Sequence, residues 1–156
     1  MVIAVDNDKG ERINFDTANP FSFYHIITDL EGQEEQKAYG ILRMPNKVHN
    51  ALPVPLILGV NGSKNWSEHH LEYMSMFRDM GFATFELQSF NSRNVRSTVG
   101  EQVSVTTAMM ILDAYKALDV LAADSRIDIN NIGIYLLYLR IHLWHFSQTS
   151  SDKRYD

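Results

Sequence analysis

The sequence predicts an α/β protein with a mostly parallel sheet, and three observations support this fold class. After residue 53, short apolar runs typical of buried strands alternate with longer segments of helical periodicity. The 156 residues are 45% hydrophobic and 21% charged, which is an ordinary composition for one globular domain. Cysteine is absent, so disulfides, cysteine-ligated zinc and a thiol nucleophile are excluded.

Two strands are predicted before the alternation begins. The segment Phe21–Asp29 (FSFYHIITD) is rich in aromatic and β-branched residues, and Ala38–Met44 (AYGILRM) is closed by Pro45. A charged turn separates them, so an antiparallel hairpin is expected. Residues 1–20 are polar and turn-rich, and the acidic lead as a whole is expected to be a solvated, partly mobile segment.

The later elements follow from apolar runs and from helix start and stop signals. The run Leu56–Val60 (LILGV) has the length of a strand buried on both faces, as in a parallel sheet. Ser67 can cap a helix that Gly81 ends, and Thr98 with Glu101 fits a capping box for a long helix. The predicted order is strand 56–60, helix 67–80, strand 82–87, helix 98–123 and strand 130–135, a pattern typical of βαβ units.

The charge distribution excludes two classes of partner. The net charge is −5, and residues 1–37, with eight acids and three bases, account for all of it. No stripe of lysine and arginine follows, so nucleic-acid binding is not expected. No apolar run approaches the ~18 residues of a spanning helix, so no membrane partner is expected. The N-terminus lacks a basic segment before its apolar start and does not resemble a secretory signal, so a cytoplasmic location fits.

Candidate site residues follow the predicted parallel strands, because ligands of open α/β sheets bind beyond the carboxyl ends of the strands. The loop Asn61, Gly62, Ser63 and Lys64 could present backbone N–H groups to an oxyanion, or it could be an ordinary strand-to-helix turn. The loop contains neither of the glycine patterns typical of nucleotide-binding loops, GxxxxGK and GxGxxG, so no cofactor is expected. In the next loop, Arg93 could meet a substrate carboxylate or could simply be solvated.

The histidines do not predict a metal site. His69 and Glu72 are three residues apart on the helix that Glu68 begins, but the order HExxH is missing and two ligands do not make a zinc site. This segment is interpreted as a solvated helix face. His142 and His145 lie among apolar residues, where packing is the simpler interpretation.

The stretch Pro53–Ile134 resembles the dienelactone hydrolase-like branch of the α/β-hydrolase family. The matching pieces are PLILGVNGS, LEYMSMFRDMGFATFELQSFNSRNV, RSTVGEQ and ILDAYKALDVLAADSRIDINNIGI. The resemblance implies part of a three-layer α/β/α hydrolase fold, cleavage of a small ester or lactone, and an oxyanion-hole region at Asn61 to Ser63. Asn61 stands where this family commonly has histidine, Gln88 where the branch often has aspartate, and Asn94 where it often has glycine.

The resemblance stops at Ile134. The family places its nucleophile in G-x-S-x-G on the elbow that follows this strand, but here the chain reads YLLYLR and contains no such motif. Ser147 lies in a polar tail, and Asp152 and Asp156 follow it without any later histidine. Nucleophile, acid and base are therefore missing from their family positions. We expect a domain over 1–134 with a divergent tail over 135–156, produced by a shifted reading frame or an early truncation, which the downstream gene sequence would test.

Three hypotheses for function remain open on these grounds. The first is a hydrolase by descent that is incomplete and inactive. The second is a non-catalytic binding or interaction protein that reuses the half-sheet. The third is an enzyme with an unrelated site built on Glu68, His69 and Arg93.

The strand near Asn130 would lie at an uncovered sheet edge, which predicts self-association.

Overall fold

The computed structural model describes residues 10–47 and 52–136. In chain order its elements are β1 Glu11–Ala18, α1 Phe23–Thr28, β2 Glu35–Arg43, β3 Val54–Val60, α2 Glu68–Asp79, β4 Ala83–Leu87, a 3-10 turn Asn91–Arg93, α3 Thr107–Leu121 and β5 Ile127–Leu136. Within this part of the chain, no helix combines the length and the apolar composition needed to cross a bilayer.

The five strands form one mixed sheet in the order β1-β2-β4-β3-β5. β2 pairs antiparallel with both β1 and β4, and β3 pairs parallel with both β4 and β5. In the parallel part, Leu58 lies opposite Phe85 on one side and Ile134 on the other. The alternation after residue 53 thus builds a parallel sheet, as predicted, and an antiparallel pair, β1 with β2, precedes it.

Helices cover both faces of the sheet, which confirms the three-layer arrangement. Successive residues of a strand point to opposite faces. Leu58 belongs to the core that also contains Ala117 and Leu121 of α3. Its neighbour Gly59 faces α2, where a Cβ atom would lie 2.7 Å from Met74 Cε.

The hairpin forms from different residues than the sequence predicted. Phe21–Asp29 is not a strand: it contains the short helix α1, and its large apolar side chains are mostly exposed. β1 takes the place beside β2, because Ile13 and Phe15 point inward while the polar residues between them point to solvent. The solvated-lead interpretation is therefore wrong for β1, which places Phe15 in the core, although the acidic side chains of residues 10–37 are exposed as expected; residues 1–9 lie outside the described residues.

The predicted boundaries of α2 are confirmed. Ser67 is its N-cap residue, and the backbone N–H of Ser67 donates to Nδ1 of His70 at 3.3 Å. After the helix, Gly81 adopts a φ of +96°, a conformation that glycine accepts without strain.

The predicted start of the long helix at Thr98 is wrong. Gly100 has a φ of +89°, which no α-helix contains, and α3 begins only after its N-cap Thr106. The Thr106 hydroxyl accepts from the Met109 N–H at 3.2 Å and donates to the Pro20 carbonyl at 3.0 Å. Thr98 is buried, and its backbone N–H donates to the Ser63 carbonyl at 2.9 Å. The capping-box pattern at Thr98 therefore marks a loop contact and not a helix start.

Thr106→Ala is expected to lower the free energy of unfolding by about 0.5–2 kcal/mol, because the Met109 N–H loses its acceptor. Thr98→Ala is the matched control, since alanine keeps the backbone N–H that contacts Ser63. Chemical denaturation followed by circular dichroism measures both variants. An equal or greater loss in Thr98→Ala would contradict this assignment of the cap.

Candidate functional site

The loop that follows β3 is a tight turn at the carboxyl edge of the sheet. Asn61 is only 1% exposed and Gly62 is buried as well. The Asn65 N–H donates to the Gly62 carbonyl at 2.9 Å, and Asn65 adopts a left-handed φ of 63°. Asparagine tolerates this conformation better than most residues, which explains its place in the turn.

The loop uses its carbonyl groups internally, whereas three of its N–H groups stay unused within the described part of the chain. The Ser63 carbonyl accepts from the Thr98 N–H and from the Ser97 hydroxyl, both at 2.9 Å. None of the hydrogen bonds among the described residues uses the N–H of Gly62, Ser63 or Lys64. Consecutive free backbone N–H groups are suited to an anion or to a developing oxyanion.

Four side-chain amides connect this loop to the loop after β4. Asn61 Nδ2 donates to Asn65 Oδ1 at 2.6 Å, and Asn65 Nδ2 donates to Asn91 Oδ1 at 2.8 Å. Asn91 Nδ2 in turn donates to Gln88 Oε1 at 2.7 Å. We call these four residues the carboxamide chain. All its hydrogen bonds run in one direction, so each bond polarises the next.

The carboxamide chain begins at an oxygen without a partner. Asn61 Oδ1 is buried and accepts no hydrogen bond from any residue that the structure describes, and the hydroxyl of Ser89 in the next loop likewise has no partner among them. Buried polar atoms are normally paired. A group that donates a hydrogen bond to Asn61 Oδ1 would therefore stabilise this edge of the sheet.

Trp66 holds the loop against the sheet from the α2 side. Its Nε1 donates to the Leu87 carbonyl at 2.8 Å, and its backbone N–H donates to Asn65 Oδ1 at 2.9 Å. The ring also lies above Gly59, where a Cβ atom would come within 2.7 Å of it. The loop is therefore fixed by contacts on both sides.

The side chain of Arg93 is buried and all its donors are used within the protein. Its Nη1 and Nη2 atoms bind the two carboxylate oxygens of Asp113 at 2.7 and 3.1 Å. The remaining N–H groups donate to the carbonyls of Ser89 and Ala18 and to Asn19 Oδ1, at 3.0, 3.2 and 2.7 Å. The guanidinium has five N–H donors, so none is left for a substrate carboxylate. The side chain is also only 6% exposed, so it is not solvated.

Asp113, which the sequence did not single out, is the centre of this cluster. It is fully buried on α3 and also accepts the Thr17 hydroxyl at 2.8 Å. The cluster therefore joins β1, the loop after β4 and α3. Asp113 could have been found from the sequence, because it is an aspartate within the apolar run of α3 and a buried carboxylate requires a partner.

A second buried ion cluster lies on the opposite face of the sheet. Glu86 of β4 accepts from Arg43 Nε at 3.1 Å and lies 3.8 Å from Arg78 Nη1. Arg78 Nη1 also donates to the Thr84 hydroxyl at 3.0 Å. Burial lowers the pKa of the Arg78 guanidinium, and the nearby Glu86 opposes this shift. The cluster attaches α2 to the sheet.

The histidines at the start of α2 contact its cap residue. His69 Nδ1 and His70 Nδ1 each lie 3.0 Å from the Ser67 hydroxyl. Burial, followed by the neighbouring His69, lowers the pKa of His70. Glu68 and Glu72 are exposed, and the described residues hold no group of three side chains able to bind a metal. His142 and His145 lie outside the described residues.

β5 continues past the point where the family resemblance ends. Tyr135 packs its ring against Phe77 and Tyr73, with centroid distances of 5.4 and 6.1 Å, and burial raises the pKa of its hydroxyl. Strand pairing ends at Leu136, opposite Val60. The first two residues assigned to the divergent tail are thus part of the sheet, and residues 137–156 lie outside the described part of the chain.

No protein-family model and no curated protein matches the sequence. Solved structures do match. A dienelactone hydrolase-like promiscuous phosphotriesterase, P91, from metagenomic libraries has a TM-score of 0.51 at 16% identity, over 81% of this chain and 49% of that chain. A structure named m3DLH has a TM-score of 0.50 at 13% identity, over 81% and 50%. A putative dienelactone hydrolase from Klebsiella pneumoniae has a TM-score of 0.48 at 14% identity, over 81% and 50%.

The comparisons confirm the fold that the resemblance implied. The described residues form a partial α/β-hydrolase fold of the kind found in dienelactone hydrolase-like proteins. The chain spans about half the length of these three structures.

Proposed function

We propose that this chain is a dienelactone hydrolase-like α/β-hydrolase by descent and that its 156 residues do not catalyse ester or lactone hydrolysis. The observation that carries the proposal is the retained loop after β3, whose Gly62, Ser63 and Lys64 N–H groups donate to no group in residues 10–47 and 52–136. In an acyl-transfer enzyme, such groups stabilise the oxyanion of the tetrahedral intermediate. The substrate class implied for the parent fold is a small carboxylic ester or lactone.

The nucleophile has no counterpart in this sequence. A serine hydroxyl becomes a useful nucleophile only beside a base that a third group orients. Two serines do lie beside histidines: Ser22 Oγ is 2.9 Å from His25 Nδ1, and Ser67 contacts His69 and His70. No carboxylate hydrogen-bonds to these rings in the described part of the chain, and both pairs lie within single helix starts. They are interpreted as local hydrogen bonds.

The test is labelling with a fluorophosphonate serine probe together with hydrolysis of small esters and lactones. We expect no stoichiometric labelling and hydrolysis equal to that of heat-denatured protein. Ser22→Ala and Ser67→Ala are the control variants, because each removes one Ser–His pair. Stoichiometric labelling that either substitution abolishes would overturn the proposal and would locate the nucleophile.

A second candidate function is a binding protein that reuses the half-sheet, and the unpartnered Asn61 Oδ1 favours it. This oxygen would accept a hydrogen bond from a ligand that carries an N–H or O–H group. Native mass spectrometry of the protein purified from cells would show a retained small molecule, which Asn61→Leu would lose. A wild-type mass fully accounted for by polypeptide, as monomer or dimer, would remove this candidate. Both candidates are proposed for the cytoplasm, with which a chain without cysteine is compatible.

A further inference from the structure

The two edges of the sheet differ in charge. β1, at one edge, exposes Glu11, Arg12 and Asp16. β5, at the other edge, has a single charged residue, Asp128, and none over 129–136. Charged side chains and prolines are what normally protect an edge strand from pairing with another chain. Within the described residues, the protected edge is β1 and the unprotected edge is β5.

One face of β5 is also apolar and incompletely covered. Ile134 and Leu136 lie opposite Leu58 and Val60, so they share the face that α3 covers elsewhere. α3 packs over β1, β2, β3 and β4. At β5 the side chains of Ile134 and Leu136 remain 47% and 53% exposed. An apolar strip of this kind, beside a strand edge with which no described residue pairs, favours association.

We propose that two copies of this chain pair through β5, antiparallel and about a two-fold axis, so that their five-stranded sheets join into one. A two-fold axis presents the same patch on both subunits, and two identical edges related in this way run antiparallel. The strand that pairs with β5 is β5 of a second copy. Because β5 carries no charge over 129–136, two copies of it can pair without like-charge repulsion.

Side-chain pairing selects a register with Ile134 near the axis. In antiparallel pairs, residues directly opposite each other share a face. Ile132 then lies opposite the partner's Leu136, which joins the two exposed apolar strips. On the other face, Gly133 lies opposite the partner's Tyr135, and an aromatic ring covering a glycine is a favourable pairing. Asp128 stays away from the axis and from its own copy.

The first test compares lysine substitutions at two exposed isoleucines. Size-exclusion chromatography with light scattering is expected to give twice the chain mass for the wild type at micromolar concentration. Ile134→Lys should weaken dimerisation by about tenfold or more, because it buries an unpaired charge at the interface. Ile27→Lys, at an 82% exposed position on α1, should leave the dimer unchanged. A monomeric wild type, or a dimer that Ile134→Lys leaves intact, would overturn the proposal.

The second test uses the absence of native cysteine, which makes a single introduced thiol a clean reporter. Ile134→Cys should form an intermolecular disulfide on mild oxidation, because directly opposed residues in antiparallel strands lie about 4.5–5.5 Å apart at Cα, within disulfide reach. Ile27→Cys should not. This readout does not depend on a charge that could unfold the chain. Cross-linking at residue 27 as rapid as at residue 134 would show non-specific collision and would contradict the pairing.

Discussion

Replacing Arg93 by leucine is expected to lower the free energy of unfolding by about 3–5 kcal/mol, the range for breaking a buried ion pair. The substitution leaves the carboxylate of Asp113 fully buried, and the Thr17 hydroxyl is then its one remaining partner among the described residues. It also removes the N–H groups that donate hydrogen bonds to the carbonyls of Ala18 and Ser89. Urea denaturation followed by tryptophan fluorescence and circular dichroism would measure the loss.

Two further variants separate the buried charge from other effects. Lys37→Ala removes the exposed ion pair with Asp16 and should leave the unfolding midpoint within error. The double variant Arg93→Leu with Asp113→Leu should regain part of the lost stability, since no unpaired charge remains. If Arg93→Leu behaves like Lys37→Ala, or if the double variant is less stable than the single one, the assigned role of this pair is wrong.

Phe85→Ala is expected to cost about 3–5 kcal/mol, because it removes an aromatic side chain from the centre of the core. Phe85 is fully buried on β4, the central strand, with Leu42 opposite it on β2 and Leu58 opposite it on β3. Phe23→Ala is the control, since Phe23 lies half-exposed on α1 and its loss should be small. Equal losses in the two variants would contradict the placement of the core.

The contact between Phe85 and Gly40 gives this prediction a second readout. A Cβ atom at Gly40 would come within 2.2 Å of the Phe85 ring and 3.0 Å of the Glu86 carbonyl. Gly40→Ala should therefore destabilise by about 1–3 kcal/mol through overpacking. Combined with Phe85→Ala, it should cost less than the sum of the two, because the ring that it strikes is gone. Simple additivity would show that the two residues do not touch.

The sequence predicted the parallel half of the fold well and the N-terminal hairpin poorly. LILGV and FATFEL are apolar along their whole length, so they could be recognised without any neighbour. β1 alternates charged and apolar residues over only eight positions, a weak signal that the more aromatic segment Phe21–Asp29 outweighed. In the structure that segment contains a short surface helix, and β1 occupies the edge beside β2.

For the candidate site, the sequence located the loop but not its partners. Asn61 and Gly62 were found because turn-forming residues follow a buried strand. The link to Asn91 through Asn65 joins residues 26 positions apart, which no local pattern reveals. Arg93 was misjudged for the same reason, since its partners lie 74 positions earlier at Asn19 and 20 positions later at Asp113. Distant pairing decides which polar residues are buried.

The central position of β4 has a consequence for synthesis on the ribosome. β4 lies between β2 and β3, both of which emerge from the ribosome before it. Until residue 87 has been made, those two strands cannot join through their common neighbour, and each keeps an open edge. Sheets built on such non-local pairing form slowly, and unpaired edges on nascent chains are a route to misfolding. During this interval the nascent chain exposes the most unpaired strand edge, so holdase chaperones are most useful then. The interval ends when β4 inserts between β2 and β3.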